Sequence, residues 1–130
     1  MKLYEIIPSK LYQRGKIREN QYGDLEIFDL VIGLAGGPVP KAIYRPMADG
    51  EKIPIAILSE LVDMAEGVIL QGGMVLVYCN GGRNRSSLLN ALIVRKLFGI
   101  SGLKAIGHIR SIRPRVLSNS RFLDYLESLP

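Results

Sequence analysis

An unbroken apolar run, Met74 to Tyr78, leads directly into a short polar loop, Cys79 to Arg85, and a second apolar-periodic stretch opens at Ser86. Such a run suits a strand buried on both faces, and the stretch from Ser86 to Phe98, stopped by Gly99, has helical spacing. Strand, glycine-bearing loop and helix in immediate succession constrain the fold strongly. The strand needs neighbours for its backbone groups, and both of its faces must be covered.

The rest of the chain supplies those partners. Leu3 to Ile7 and Leu11 to Arg14 read as short strands around a turn at Pro8-Ser9. Phe28 to Leu34 is another nearly continuous apolar run, and Ala42 to Met47 resumes the strand pattern after Gly36-Gly37-Pro38. From Pro54 to about Leu70 the residues Ile57, Leu58, Leu61, Val62, Ala65, Val68 and Ile69 recur at helical spacing, with Gly72-Gly73 as the stop. Ser101 can cap a helix ending before Pro114, and Ser118 or Asn119 a last one through Phe122, Leu123, Leu126 and Leu129. The expected fold is α/β, a three-layer sandwich with a central, mostly parallel sheet flanked by helices. With no repeat, low-complexity tract or linker-like shift, residues 1–130 are expected to form a single domain.

The loop itself carries chemistry. Leaving a buried strand and entering a helix, Cys79-Asn80-Gly81-Gly82-Arg83-Asn84-Arg85 can turn its N–H groups inward as an anion nest, to which the helix N-terminus adds its positive end. Gly81 and Gly82 ease the turn. Arg85, in the first helical turn, can hold two phosphate oxygens through its planar guanidinium. Cys79 would point into the same cradle, where backbone dipoles and Arg85 favour thiolate over thiol. Attack on phosphorus would give a phosphocysteine intermediate. A hydroxyl at Ser86 could assist departure of the sulfur in the second step. No Gly-Lys-Ser/Thr follows the glycines, so this is not an ATP-binding loop of the Walker type.

Charge distribution agrees. The net charge is +5, and the stretch from Arg83 to Arg121 is rich in Arg and Lys and contains no acid. Anionic partners are favoured. One cysteine excludes an internal disulfide framework and a multi-cysteine zinc site, and no metal-ligand cluster or cofactor motif competes with the loop. The N-terminal residues do not read as a secretory signal, and no stretch approaches the roughly 18 apolar residues that a membrane helix needs. A soluble, monomeric, cytoplasmic protein without a cofactor is expected.

The sequence resembles the cysteine-dependent protein tyrosine phosphatases, specifically the dual-specificity branch with its Cys-x5-Arg-Ser/Thr signature. LYQRG at Leu11 to Gly15 is similar to the strand that opens those domains, FDLVIGLAG to their first central strand, and IRPRVLSNSRFLDYL to their closing pattern. Pro46-Met47-Ala48-Asp49-Gly50 is similar to the acid loop of kinase-associated and related members. The resemblance implies Cys79 as nucleophile, Arg85 as phosphate clamp, Ser86 as the hydroxyl assisting hydrolysis of the intermediate and Asp49 as general acid. Asn80, Gly81, Gly82, Arg83 and Asn84 would line the cradle. One departure is visible: Tyr78 stands where the family usually has histidine.

By itself Asp49 reads equally well as an ordinary turn aspartate, and Glu51 is the reserve acid. His108 in a helix, Asp29 at a strand start and Asp63 on a polar helix face are assigned no chemistry. Arg110, Arg113 and Arg115 can either rim the pocket or face solvent. The leading expectation is a phosphatase for phosphorylated proteins, acting on phosphotyrosine and on phosphoserine or phosphothreonine. RNA 5′-phosphates and phosphoinositides are alternative phosphate-ester substrates; a rhodanese-like sulfurtransferase and an inactive phosphate-binding module are alternatives of other classes.

Overall fold

A computed structural model describes residues 2–50 and 52–130. Glu51 lies outside the described residues. The strands are β1 (Tyr4–Ile7), β2 (Leu11–Arg14), β3 (Leu30–Gly33), β4 (Ala42–Tyr44) and β5 (Val75–Tyr78). The helices are α1 (Ile55–Leu70), α2 (Arg85–Phe98), α3 (Gly102–Ile112) and α4 (Ser120–Glu127). In addition, Glu19–Ile27 forms a 3-10 segment that no apolar periodicity announces.

The five-stranded sheet has the order β1-β2-β5-β3-β4. β1 pairs antiparallel with β2, and every other pairing is parallel. The fold is therefore α/β, a mixed sheet flanked by helices. β5 is central: Val75 aligns with Leu11 of β2 and Leu30 of β3, while Tyr78 aligns with Arg14 and Gly33. All four β5 residues are buried, as an apolar strand between two neighbours must be.

Alternation along β5 separates two cores. Val75, Val77 and Cys79 join the cluster built with Leu58 and Leu61 of α1, Leu88 and Leu89 of α2, Ile106 of α3 and Phe122 of α4. Leu76 and Tyr78 face the other way, onto Val31, Phe28, Val39 and Leu25 of the 3-10 segment. The four α-helices thus share one face, and the 3-10 segment covers the opposite one. α2 is the central helix, with every residue from Ser86 to Val94 buried. The strand expected over Phe28 to Leu34 is shorter because Phe28 instead closes the 3-10 segment, its N–H donating to Leu25 O. β4 stops at Tyr44, before Pro46, which has no N–H to give a ladder.

Gly33 and Tyr78 form one packing unit. A Cβ on Gly33 would lie 2.3 Å from the Tyr78 hydroxyl oxygen, and that hydroxyl donates to Gly37 O at 2.8 Å. Gly33→Ala therefore forces the fully buried Tyr78 ring to move. We expect a loss of roughly 1–3 kcal/mol, the usual scale of overpacking, read as a lowered urea midpoint with unchanged slope; an unchanged midpoint would show that the ring relocates freely.

Candidate active site

The loop between β5 and α2 is shaped from outside. Asn80 O accepts from Lys16 N at 2.9 Å and Arg83 O from Leu117 N at 3.2 Å. Gly82 O accepts from the Gln13 side-chain amide at 2.6 Å and also from Arg113 Nη1. In a planar trans peptide the next N–H points opposite to the carbonyl. Drawing these three carbonyls outward therefore turns the N–H groups of Gly81, Arg83 and Asn84 toward the loop interior, the arrangement of an anion nest.

Cys79, 1% exposed, sits at the base of this loop. Gly82 N–H donates to its sulfur at 3.2 Å, and Ser86 Oγ, also buried, lies 3.2 Å from it. Gly82 has φ +69, and a Cβ there would press within 3.0 Å of the Arg14 and Gly15 backbone. Glycine is required at this point, whereas Gly81 is exposed with nothing near its Cβ position. Beneath the loop, Gln13 also donates to Ser87 Oγ at 2.8 Å and accepts from Asn90 Nδ2 at 3.1 Å. Sequence reasoning missed Gln13. Its signal was a polar side chain at an inward position of an otherwise buried strand.

Arg85 opens α2, and its Nη1 donates to Met47 O at 3.2 Å, which ties the segment carrying Asp49 to the Cys79–Arg85 loop. Asp49 is exposed, yet both its oxygens are engaged: Oδ2 accepts from Asn84 Nδ2 at 3.0 Å and Oδ1 from Asn119 Nδ2 at 2.7 Å. The structure thus brings Asp49 against a residue of the Cys79–Arg85 loop. Asn80 and Arg83 are exposed at the loop's outer surface.

The other candidates separate. Arg113 anchors Gly82 O and lies with its guanidinium carbon 4.2 Å from the centre of the Tyr4 ring. With Lys2, Tyr4, Arg83 and Arg115 it lines an open groove of about 380 Å³ beside the loop. Arg110 turns instead to the α3–α4 connection, where it donates to Val116 O and Leu117 O. His108 lies 2.7 Å from Ile6 O and edge-on to Phe98; Asp29 accepts from Met74 N; Asp63 pairs with Lys96. Tyr78, in the place of the usual histidine, points to the sheet face opposite Cys79. Burial pushes its phenol up to about 12, so it remains a neutral donor to Gly37 O near neutral pH.

No family model matches the chain. It is similar to dual specificity protein phosphatase 1 of Arabidopsis thaliana, with 34% identity over 70 residues that make up 54% of this chain. The match spans about a third of that relative's length, 35%. Human DUSP28 is similar in structure, with TM-score 0.81, 24% identity, and coverage of 96% of this chain and 92% of the other. PTPMT1, solved in complex with PI(5)P, has TM-score 0.83 at 19% identity, covering 96% of this chain and 92% of its own. The chain has the fold of the cysteine-dependent protein tyrosine phosphatase superfamily. The sequence match places the resemblance in its dual-specificity branch.

Proposed function

We propose that this protein is a phosphatase that hydrolyses phosphate monoesters of proteins, phosphotyrosine and also phosphoserine or phosphothreonine, through a phosphocysteine intermediate. The observation that carries the reading is the convergence of Gly82 N–H and Ser86 Oγ on the Cys79 sulfur, inside a loop whose carbonyls are held outward. The substrate phosphate sits on the inward N–H groups, with two oxygens on the Arg85 fork. Cys79 thiolate attacks phosphorus; as the S–P bond forms and the ester P–O bond breaks, Asp49 gives its proton to the leaving oxygen. Water then attacks the phosphocysteine, losing a proton to the Asp49 carboxylate, and the electron pair of the S–P bond returns to sulfur. The Ser86 hydroxyl stabilises that departing thiolate by donating to it.

The basic groove beside the loop supports an anionic substrate surface around the phosphate. It also favours a second reading, phosphoinositide hydrolysis, to which the likeness to PTPMT1 in complex with PI(5)P adds weight. A thiol nucleophile suits a reducing compartment, and among the described residues no helix is long and apolar enough to cross a membrane.

The test is hydrolysis, in excess chelator, of phosphotyrosine and phosphothreonine peptides and of phosphoinositide vesicles by wild type and Asp49→Ala. We expect peptide turnover by wild type and a fall in kcat of about 10²-fold in the variant, the lower end for loss of a general acid. Turnover of vesicles alone would replace the protein substrate with the lipid one. Absence of turnover on every ester would overturn the phosphatase reading.

A further inference from the structure

Among the described residues no ion pair reaches Asp49; two side-chain amides from distant parts of the chain hold it. We propose that Asn84 and Asn119 are positioning residues that latch Asp49 to the phosphate loop before substrate arrives, so that protonation of the leaving oxygen does not wait for closure of the acid loop. The inference rests on the reading of Asp49 as proton donor and deepens it.

The orientation of both amides is dictated by bonds that have nothing to do with Asp49. Asn119 Oδ1 accepts from Arg121 N and Phe122 N and thereby caps α4. An amide NH2 in that place could not serve two backbone donors, so Nδ2 must face the other way, where it meets Asp49 Oδ1 and Gly50 O. Asn84 Oδ1 accepts from Asn119 N at 3.2 Å and Ser118 Oγ at 3.3 Å, which leaves its Nδ2 to face Asp49 Oδ2. The two amides thus join three segments: the acid loop, the phosphate loop and the N-terminus of α4. The Arg85 bond to Met47 O closes the same junction from its other side.

The latch matters most where the leaving oxygen is most basic. A phenol, with an ordinary value of about 10 as in tyrosine, leaves with less help than the alkoxide of phosphoserine or phosphothreonine, which must be protonated as the P–O bond breaks. A prepositioned Asp49 is therefore the feature that extends the site from phosphotyrosine to alkyl phosphates.

Two variants test this. Asn84→Ala removes one donor; Asn119→Asp keeps the oxygen that caps α4 but replaces the other donor by a carboxylate facing Asp49. Each should lower kcat/KM on a phosphothreonine peptide by about tenfold or more; with Asn119→Asp, whose residue lies outside the phosphate loop, an aryl phosphate with a strongly acidic phenol, which needs no proton, is little affected. In an Asp49→Ala background Asn119→Asp should not lower the rate further. A loss independent of the leaving group, or one that persists without Asp49, would overturn the latch and assign both residues to support of the phosphate loop. If wild type hydrolyses no ester, the phosphatase reading fails and the latch is judged by hydrogen exchange: backbone amides of residues 47–50 should exchange faster in Asn84→Ala than in wild type, and equal exchange overturns it.

Discussion

Cys79→Ser is expected to abolish turnover while leaving the protein folded. The change exchanges one buried atom for a slightly smaller one in a site that already offers two polar neighbours, Gly82 N–H and Ser86 Oγ, so the loop retains its bonds. In the proposed mechanism the nucleophile is lost all the same, because an alkyl hydroxyl does not ionise near neutral pH and its hydrogen-bond partners among the described residues, Gly82 N–H and Ser86 Oγ, are not bases. The rate should fall by roughly 10⁴-fold or more, the scale on which removal of an activated nucleophile is felt. Inorganic phosphate should still bind, since the nest and Arg85 are untouched. Steady-state turnover together with phosphate titration by calorimetry reads both quantities; a variant that keeps a tenth or more of the rate would dismiss Cys79 as the attacking group.

Arg85→Lys carries the second largest effect, although the charge is conserved. An ammonium can satisfy one phosphate oxygen at a time, whereas a guanidinium can hold two in a plane, and that of Arg85 donates to Met47 O as well. We expect kcat to fall by about 10²–10³-fold, as when one preorganised oxyanion donor is removed, and the affinity for phosphate to weaken in parallel. Thermal stability should change little, because Arg85 is half-exposed at the start of α2. Retention of full activity by the lysine variant would show that the position acts as a point charge, without a role for the fork.

Legibility of the site followed distance along the chain. Cys79, Arg85 and Ser86 lie on one strand-loop-helix unit whose apolar period changes from that of a strand to that of a helix within a few residues, and such local patterning survives in the sequence. Strands β2 and β5 and helices α1 to α4 were readable for the same reason. Gln13 is 69 residues from Gly82, Asn84 is 35 from Asp49 and Asn119 is 70 from Asp49. Nothing in local composition encodes those pairings. Asn119 shows the limit well: its helix-capping role was visible from the residues that follow it, while its second role at Asp49 was not.

Arg113 and Arg110 illustrate the same division. Both are basic residues around one closing segment, equally able to face a pocket when read as sequence. Packing sends Arg113 to the back of the Cys79–Arg85 loop and Arg110 to the α3–α4 connection. The 3-10 segment Glu19–Ile27 went unread because a few buried anchors, chiefly Leu25, hold it against the sheet with no amphipathic repeat. Tyr78 was visible as a departure, and strand alternation alone predicts that it faces away from Cys79. That its hydroxyl reaches Gly37 O, through the space left by Gly33, depends on the register of β3 against β5.

By itself, then, the sequence determined the α/β class and the strand-loop-helix unit, because each rests on contacts between near neighbours. Only the tertiary structure decided how the loop's carbonyls are pulled outward, which arginine braces it and what holds Asp49. Those outcomes depend on which distant segments the packed sheet and helices bring within hydrogen-bonding distance.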